Sequence, residues 1–515
     1  MDKESSSFGK IRSLFWPIHR YEFKKVFSLI LLFCLLCISY SLLRNLKDIV
    51  VLTAKDSGAE VIPFIKVWGM LPAAIVGTWF YSKLCSMFKR EKVFYILISS
   101  FLLFFLLFAF VLYPLKEHLH FHGLQNYLLE TLPSGFKGLI AMCCNWTFTL
   151  FYIIAELWSV LVLTVLFWGV ANDINTVSEA KRSYGILNIG SNLAPLLGGF
   201  IAIFATNKMT LFFLKDMKDV WGQTIINIVL LVALLGGLAL LIFCWMQKNV
   251  FTKPLPAPPT KDGKGRMSLR ASIRFLLKSK YLVCLAVIVL GFNIAVNLTD
   301  ILWKQQLTAY FTDKNDMLIH LSYIQVGLSI VATVGAVLFT SLVRRFGWTL
   351  VAIITPMIMT VMGIGFFSFL FFGDYLATMT HTLFGLTPMA MTVYFGSMQN
   401  CLSKAAKYSV FDASRELAYL PLDSEARLRG KAAIGGLGSG LGKSGASLLY
   451  QGLLFMTGGI AFCGPYIAVI LFIVFVSWFS SVVSLGRQFN RKTAADAETS
   501  ESEVTIEEDA TIVEG

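Results

Sequence analysis

The sequence predicts an all-α membrane protein with twelve transmembrane helices in two six-helix halves, and three observations predict it. The 515-residue chain is 56% hydrophobic and 15% charged, with a mean hydropathy of +0.69, a composition foreign to soluble domains. Apolar stretches of about 20 residues, the length that crosses the hydrocarbon core, succeed one another along the chain. Short echoes between its two halves point to a duplicated unit.

Residues 1–25 are polar and basic and read as a cytoplasmic terminus. The first half, 26–247, carries apolar stretches at 27–50, 61–84, 93–114, 141–170, 184–206 and 223–246. Residues 248–280 join the halves. Their Pro- and Gly-rich beginning is a flexible linker. From Ser268 as N-cap, Leu269, Ile273 and Leu276 share one helical face and Arg270, Arg274 and Lys278 another, the pattern of a short amphipathic helix on the inner membrane surface. The second half, 281–487, continues with stretches at 281–303, 318–342, 347–372, 376–403, 432–456 and 462–486. The tail, 488–515, ends in an acidic run without aromatics and is expected to be disordered.

Most of the 44 Lys and Arg lie in the termini and in the connections after even-numbered stretches, as in "FKREK" and "VRRFG". The positive-inside rule then places both termini and these connections in the cytoplasm. The net charge of +13 therefore sets topology and contact with anionic lipid, and it implies no nucleic-acid partner. Cys34 and Cys37 form a C-x-x-C, but inside "LLFCLLCISY" they read as small packing residues rather than a redox pair. "HLHFH" (His118, His120, His122) has the look of a metal site. With no other clustered ligands, it is expected to hold no metal. The first apolar stretch is long and lacks a small-residue cleavage site, so no secretory signal is expected.

The echoes keep their order. "NLKDIV" (Asn45–Val50) ends the first stretch and "NLTDIL" (Asn297–Leu302) the seventh. "SEAKR" at Ser178 precedes the fifth and "SEARL" at Ser424 the eleventh, and basic clusters follow the second and the eighth. Parallel duplication of this kind is the architecture of the major facilitator type, in which substrate binds near the midplane between the halves.

Charged groups within the apolar stretches carry the most information, because each costs roughly 2.5–3.5 kcal/mol at the bilayer centre on insertion scales. Four stand out: Lys66, Glu156, Asp300 and Lys443. Arg44, Lys47 and Asp48 form a second group near the end of the first stretch. Interhelical ion pairs or snorkelling lysines are the bland alternative. It fits Glu156 least, since that short side chain has apolar residues on both sides. Two lysines and two carboxylates sum to zero, so they can pair in the empty protein and separate when a polyanion takes the lysines.

Lys443 lies in "GGLGSGLGKSG" (Gly435–Gly445), which imitates a phosphate-binding loop. The pattern G-x-x-x-x-G-K-[ST] needs glycine where Leu437 stands, and no strand precedes it. Gly435, Gly438, Gly442 and Gly445 instead fall on one helical face, the small-residue pattern of close helix packing in membranes.

"KYSVFDASRELAYLPLDSEARLRGKAAIGGLGSGLGKSG" (Lys407–Gly445) resembles the ATP/ADP translocases of obligate intracellular bacteria and plastids. "LRNLKDIVVLTAKDSGAEVIPFIKVW", "AELWSVLVLTVLFWGVANDINTVSEAKR" and "NLTDILWK" are similar to that family's other recurrent segments. The likeness covers nearly the whole chain. It implies a secondary transporter rather than an enzyme, exchanging host ATP for ADP, with phosphate accompanying ADP in some members. It also implies that Lys66, Glu156, Asp300 and Lys443 are the functional charges. Asp300 stands where plastid-type members carry Glu, which keeps the charge and shortens the reach. No transit-type leader is seen, which favours a bacterial member in the inner membrane. The expected partners are ATP, ADP and membrane lipid; no cofactor is expected, and the chain is expected to be a monomer.

On this reading Lys66 and Lys443 hold the nucleotide phosphates as movable point charges. Glu156 and Asp300 hold the lysines between turnovers or bond the ribose or adenine. Tyr152, Trp158 and Tyr394 are the candidates for stacking on adenine. Two alternatives stay open. One is a proton-coupled nucleoside triphosphate importer with Glu156 or Asp300 as proton carrier. The other, more remote, is a polytopic membrane transferase, which would be expected to cluster Asp, His or Arg in a large aqueous loop.

Overall fold

A backbone in hydrocarbon has no water to bond and must close its hydrogen bonds within the segment, so the apolar stretches become helices. The computed structural model describes residues 22–207, 218–251 and 274–513, and no strand occurs among them. In chain order run α1 (Phe23–Leu52), α2 (Val61–Met87), α3 (Arg90–Leu112), α4 (Trp146–Ile174), α5 (Val177–Asn207), α6 (Val220–Asn249) and α7 (Lys280–Tyr310). The helical stretch Lys314–Phe384 is interrupted at Gly347, at φ 75°, and at Phe372. Its part before Gly347 is α8 (314–346) and its part after is α9 (348–384). α10 starts at Pro388, passes through a π-helical turn at Lys407–Phe411 and ends at Ala418. α11 is Ser424–Thr457 and α12 is Ile460–Val513.

Nine helices among the described residues are long and apolar enough to cross a membrane. α5, α10 and α11 stand where the other three spans are expected. α10 is threaded by Gly, Ser, Asn and Gln, as in "GSMQNCLSK", which lower its hydropathy, and the described apolar part of α5 is short, Asn192–Asn207.

Several boundaries differ from the sequence expectation. The tenth span does not begin at 376. The chain up to Phe384 continues α9, Gly385 turns at φ 66°, and α10 opens with Thr387 accepting from the Ala390 N–H and Pro388 in the first turn. A hydroxyl N-cap followed by proline is a strong start signal, hidden here by apolar residues on both sides. α4 begins at Trp146, because the helix Lys137–Cys144 ends at Asn145. The acidic tail, expected to be disordered, is a continuation of α12 to Val513; no Gly or Pro interrupts it between Gly486 and Gly515. Of the expected amphipathic helix, Ser268, Leu269, Arg270 and Ile273 lie outside the described residues, as does the terminus before Glu22.

The chain forms two compact units that do not coincide with its sequence halves. Unit 1 is Met1–Asp262 together with Lys304–Thr333 and Leu454–Ile460; unit 2 is Gly263–Trp303, Val334–Leu453 and Ala461–Gly515. The core of unit 1 is aromatic. Trp158, with no exposed surface, meets Phe101 edge-on, and Phe94 stacks on Phe243 at 3.8 Å. In unit 2 the fully buried Trp478 meets Phe292 and Phe411 edge-on.

Candidate functional site

Each unit holds a cluster of charge within its helices. In unit 1, Glu156 lies at the end of the α-helical part of α4, just before the π-helical stretch Trp158–Phe167. Its carboxylate accepts from the Tyr40 hydroxyl at 3.4 Å and lies 3.3 Å from the Lys47 ammonium on α1. Lys47 also donates to Asp48 at 2.9 Å, and its ammonium stands 3.8 Å from the centre of the Tyr152 ring. Asp48 accepts in turn from Lys304 at 2.8 Å. The Lys47 and Lys304 side chains are only 5% and 8% exposed. The order Glu156, Lys47, Asp48, Lys304 alternates in sign, which is how charges persist away from water.

Polar bonds beside this chain join residues of both sequence halves within unit 1. Asn45 donates to Gln325 at 2.8 Å, and Gln325 donates to the Ser41 hydroxyl at 2.5 Å. The Ala59 N–H reaches the Gln305 side chain at 3.4 Å.

In unit 2, Asp300 on α7 accepts from the Asn400 amide at 2.8 Å and lies 3.5 Å from Lys404, both on α10. Lys404 closes the triangle by donating to the Asn400 carbonyl oxygen at 2.9 Å.

The two clusters share a plan. Each joins the first and fourth helices of a six-helix half, α1 with α4 and α7 with α10. A tryptophan ties each pair: Trp158 donates to the Leu36 carbonyl at 3.2 Å, and Trp303 to the Ser397 hydroxyl at 3.1 Å. A π-helical stretch follows the charged residue on each fourth helix, Trp158–Phe167 after Glu156 and Lys407–Phe411 after Lys404. Such stretches widen the helix and recur at functional sites.

Lys66 is half-buried within a third π-helical stretch, Ile65–Met70 of α2. Lys443 lies on α11, and its side chain is outside the described residues. At the preceding position α11 passes so close to α7 that a Cβ on Gly442 would fall 2.6 Å from that of Asn293. The shared glycine face is thus a packing face at Gly442, whereas at Gly445 a Cβ would meet no described atom within 4 Å.

The sequence reading missed Lys304, Gln325, Asn400 and Lys404. Lys304 and Lys404 each fell one residue past the expected end of a span, so both read as connection charges; α7 and α10 in fact run on to Tyr310 and Ala418. Their lysines are therefore helical and inward. Glu156 lies in an ion pair with Lys47 and Asp300 in one with Lys404. Among the aromatic candidates, Trp158 is a packing residue without exposed surface, and Tyr152 is 3% exposed beneath Lys47. Tyr394 is 40% exposed.

The family model of the TLC ATP/ADP transporter matches residues 1–489. The chain belongs to that family. It is 39% identical over 512 residues to ADP,ATP carrier protein 1 of Chlamydia muridarum, covering 98% of this chain and 96% of the relative. It is 36% identical over 468 residues to the chloroplastic ADP,ATP carrier protein 1 of Arabidopsis thaliana, covering 91% of this chain and 74% of that one. The fold is similar to that of the nucleoside transporter NupG, with a TM-score of 0.53 at 13% identity over 91% of this chain and 99% of the other. The expected all-α membrane architecture of major facilitator type stands on this likeness and on the helices themselves. The charged clusters of this family member therefore lie in a transporter fold.

Proposed function

We propose that the chain exchanges ATP for ADP across a membrane by alternating access, importing ATP as ADP leaves. The observation that carries this reading is the match to the ATP/ADP transporter family along residues 1–489, joined to ion-paired carboxylates within transmembrane helices. Lys66 and Lys443 take the phosphates. Glu156 and Asp300 act as fixed counter-charges through Lys47 and Lys404, holding each unit electrically balanced when no nucleotide is present. No covalent step is involved. Phosphate accompanies ADP as a further substrate, and the chain works as a monomer in contact with anionic lipid. Both termini are cytoplasmic. The membrane is the inner membrane of an intracellular bacterium, a placement supported by the 39% identity to the Chlamydia relative.

Alternating access needs contacts that form on one side and break in each cycle. Asp48–Lys304 and Asn45–Gln325 suit that role, since each joins a residue of the first sequence half to one of the second. The test is purified protein in liposomes, measuring labelled ATP uptake with and without internal ADP and with and without a pH gradient. Uptake that depends on internal ADP and ignores the gradient is expected. Uptake driven by the gradient without internal ADP would replace exchange with proton symport.

A further inference from the structure

At one end of unit 1 lies a cavity of about 270 Å³ whose charged lining is Lys55, Lys116, Lys314 and Glu117. Its walls come from the connections and helix ends between α1 and α2, α3 and α4, α5 and α6, and α7 and α8. These are the odd-numbered connections. With both termini cytoplasmic they face outward, the side on which a membrane protein ordinarily carries few lysines. Three lysines gathered there run against the rule that sets the topology.

Lys116 is partly engaged, 3.6 Å from Asp219 and 4.1 Å from the centre of the Tyr113 ring. The ammonium groups of Lys55 and Lys314 have neither ion pair nor hydrogen bond among the described residues. The single lining carboxylate, Glu117, lies 3.4 Å from His122. Asp219 and Asp313 act on Lys314 from outside the lining, yet within it three lysines face one carboxylate, and the complement of that lining is an anion that accepts from several ammonium groups at once, the chemistry of a phosphate chain. At about 270 Å³ it is smaller than the roughly 300–1,000 Å³ that encloses a whole drug-sized ligand. A phosphate chain fits, and the nucleoside stays outside.

We propose that this pocket is an outward-facing encounter site for the phosphate chain of a nucleoside di- or triphosphate, engaged before the nucleotide reaches the charges within the helices. The proposal rests on the exchange reading and on the cytoplasmic placement of the termini. Charge gathered in such a mouth raises the local concentration of an oppositely charged ligand, an effect that falls with salt.

The test uses the full chain in liposomes and the variant Lys55→Gln with Lys314→Gln. At low ionic strength its KM for external ATP should rise about fivefold, the scale of exposed ion pairs, with the maximal rate unchanged. The salt dependence of KM should flatten, and Lys55→Arg with Lys314→Arg should keep the wild-type values. Inorganic tripolyphosphate should inhibit wild-type uptake more strongly than the Gln variant. Equal inhibition by orthophosphate would assign the pocket to a single phosphate ion and overturn the nucleotide assignment. Wild-type KM, salt dependence and tripolyphosphate inhibition in the Gln variant would overturn the site itself. Calorimetric titration of the solubilised protein with tripolyphosphate separates the two readings. Binding that the Gln variant loses, in a protein that exchanges no ATP, would sink the transport reading and leave the pocket standing; no binding by wild type would sink the pocket.

Discussion

Replacing Asp48 by Asn removes the carboxylate that lies between Lys47 and Lys304, and the structure indicates how much that should matter. At 2.8 Å the Asp48–Lys304 attraction is about 6 kcal/mol at an effective dielectric constant near 20. Desolvation of the two groups offsets much of it. The loss on mutation is governed instead by the charge left behind. Lys304 is 8% exposed, and removing one partner of a buried ion pair costs about 3–5 kcal/mol. Lys47 keeps Glu156 at 3.3 Å, so the lower end applies. About 3 kcal/mol is roughly a hundredfold in the ratio of closed to open arrangements at this contact.

Cysteines at Asn45 and Gln325, whose side chains bond at 2.8 Å, report that ratio through their rate of oxidative cross-linking. Cross-linking should be fast in the otherwise native protein and many-fold slower with Asp48→Asn, and ATP/ADP exchange should fall with it. Adding Lys304→Gln removes the charge that Asp48 faced, so the double variant should recover part of both losses, a non-additivity expected only of groups in contact. Unchanged cross-linking in Asp48→Asn, or strict additivity in the double variant, would refute the idea that this pair latches unit 1.

Four further outcomes are expected. Glu156→Gln should impair both uptake and counter-exchange; counter-exchange that survives while gradient-driven uptake is lost would favour a symporter. Lys66→Gln or Lys443→Gln should weaken ATP binding about ten- to a hundredfold and adenosine far less, because the lost contact is to phosphate charge; wild-type ATP affinity in either variant would return that lysine to a packing role. A cysteine at Thr505 should resist an impermeant thiol reagent applied to intact cells, and ready labelling would reverse the topology. Burial, and then the neighbouring His122, pushes His120 down from 6.5 to about 4. Between those values the unfolded chain binds a proton that the folded one refuses, so stability should fall as pH drops from about 6.5 toward 4; an equal fall in His120→Gln, followed by thermal unfolding in detergent, would contradict this.

The helical architecture was legible because hydrocarbon imposes one solution on the backbone, and length and apolar content announce it. Glu156 and Asp300 were legible for the same reason, as charges where charge is expensive. Lys47, the partner of Glu156, was visible in the second charged group, but Lys404 beside Asp300 and Lys304 beside Asp48 were not. Lys304 and Lys404 sit one residue beyond the apolar windows, and hydropathy cannot tell a lysine that ends a span from one that turns inward on a longer helix. The start of α10 was hidden in the same way, since "THTLFGLTPMAM" is apolar on both sides of its turn and only the Thr387–Pro388 pair marks the break. The three π-helical stretches near Lys66, Glu156 and Lys404 leave no compositional trace at all.

The duplication now has a chemical reading. Asp48 in "NLKDIV" and Asp300 in "NLTDIL" occupy the same place in the repeat, and both meet a lysine. Where the first half has Lys47, the second has Thr299, an uncharged hydroxyl bonded to its own helix at the Ala295 carbonyl. The lysine that the seventh helix lacks is supplied by the tenth as Lys404, and the fourth helix supplies the opposite sign as Glu156. The repeat thus kept the contact between first and fourth helices while exchanging which of them carries the positive charge. These pairs place Glu156 and Asp300 in ion pairs drawn from within each half.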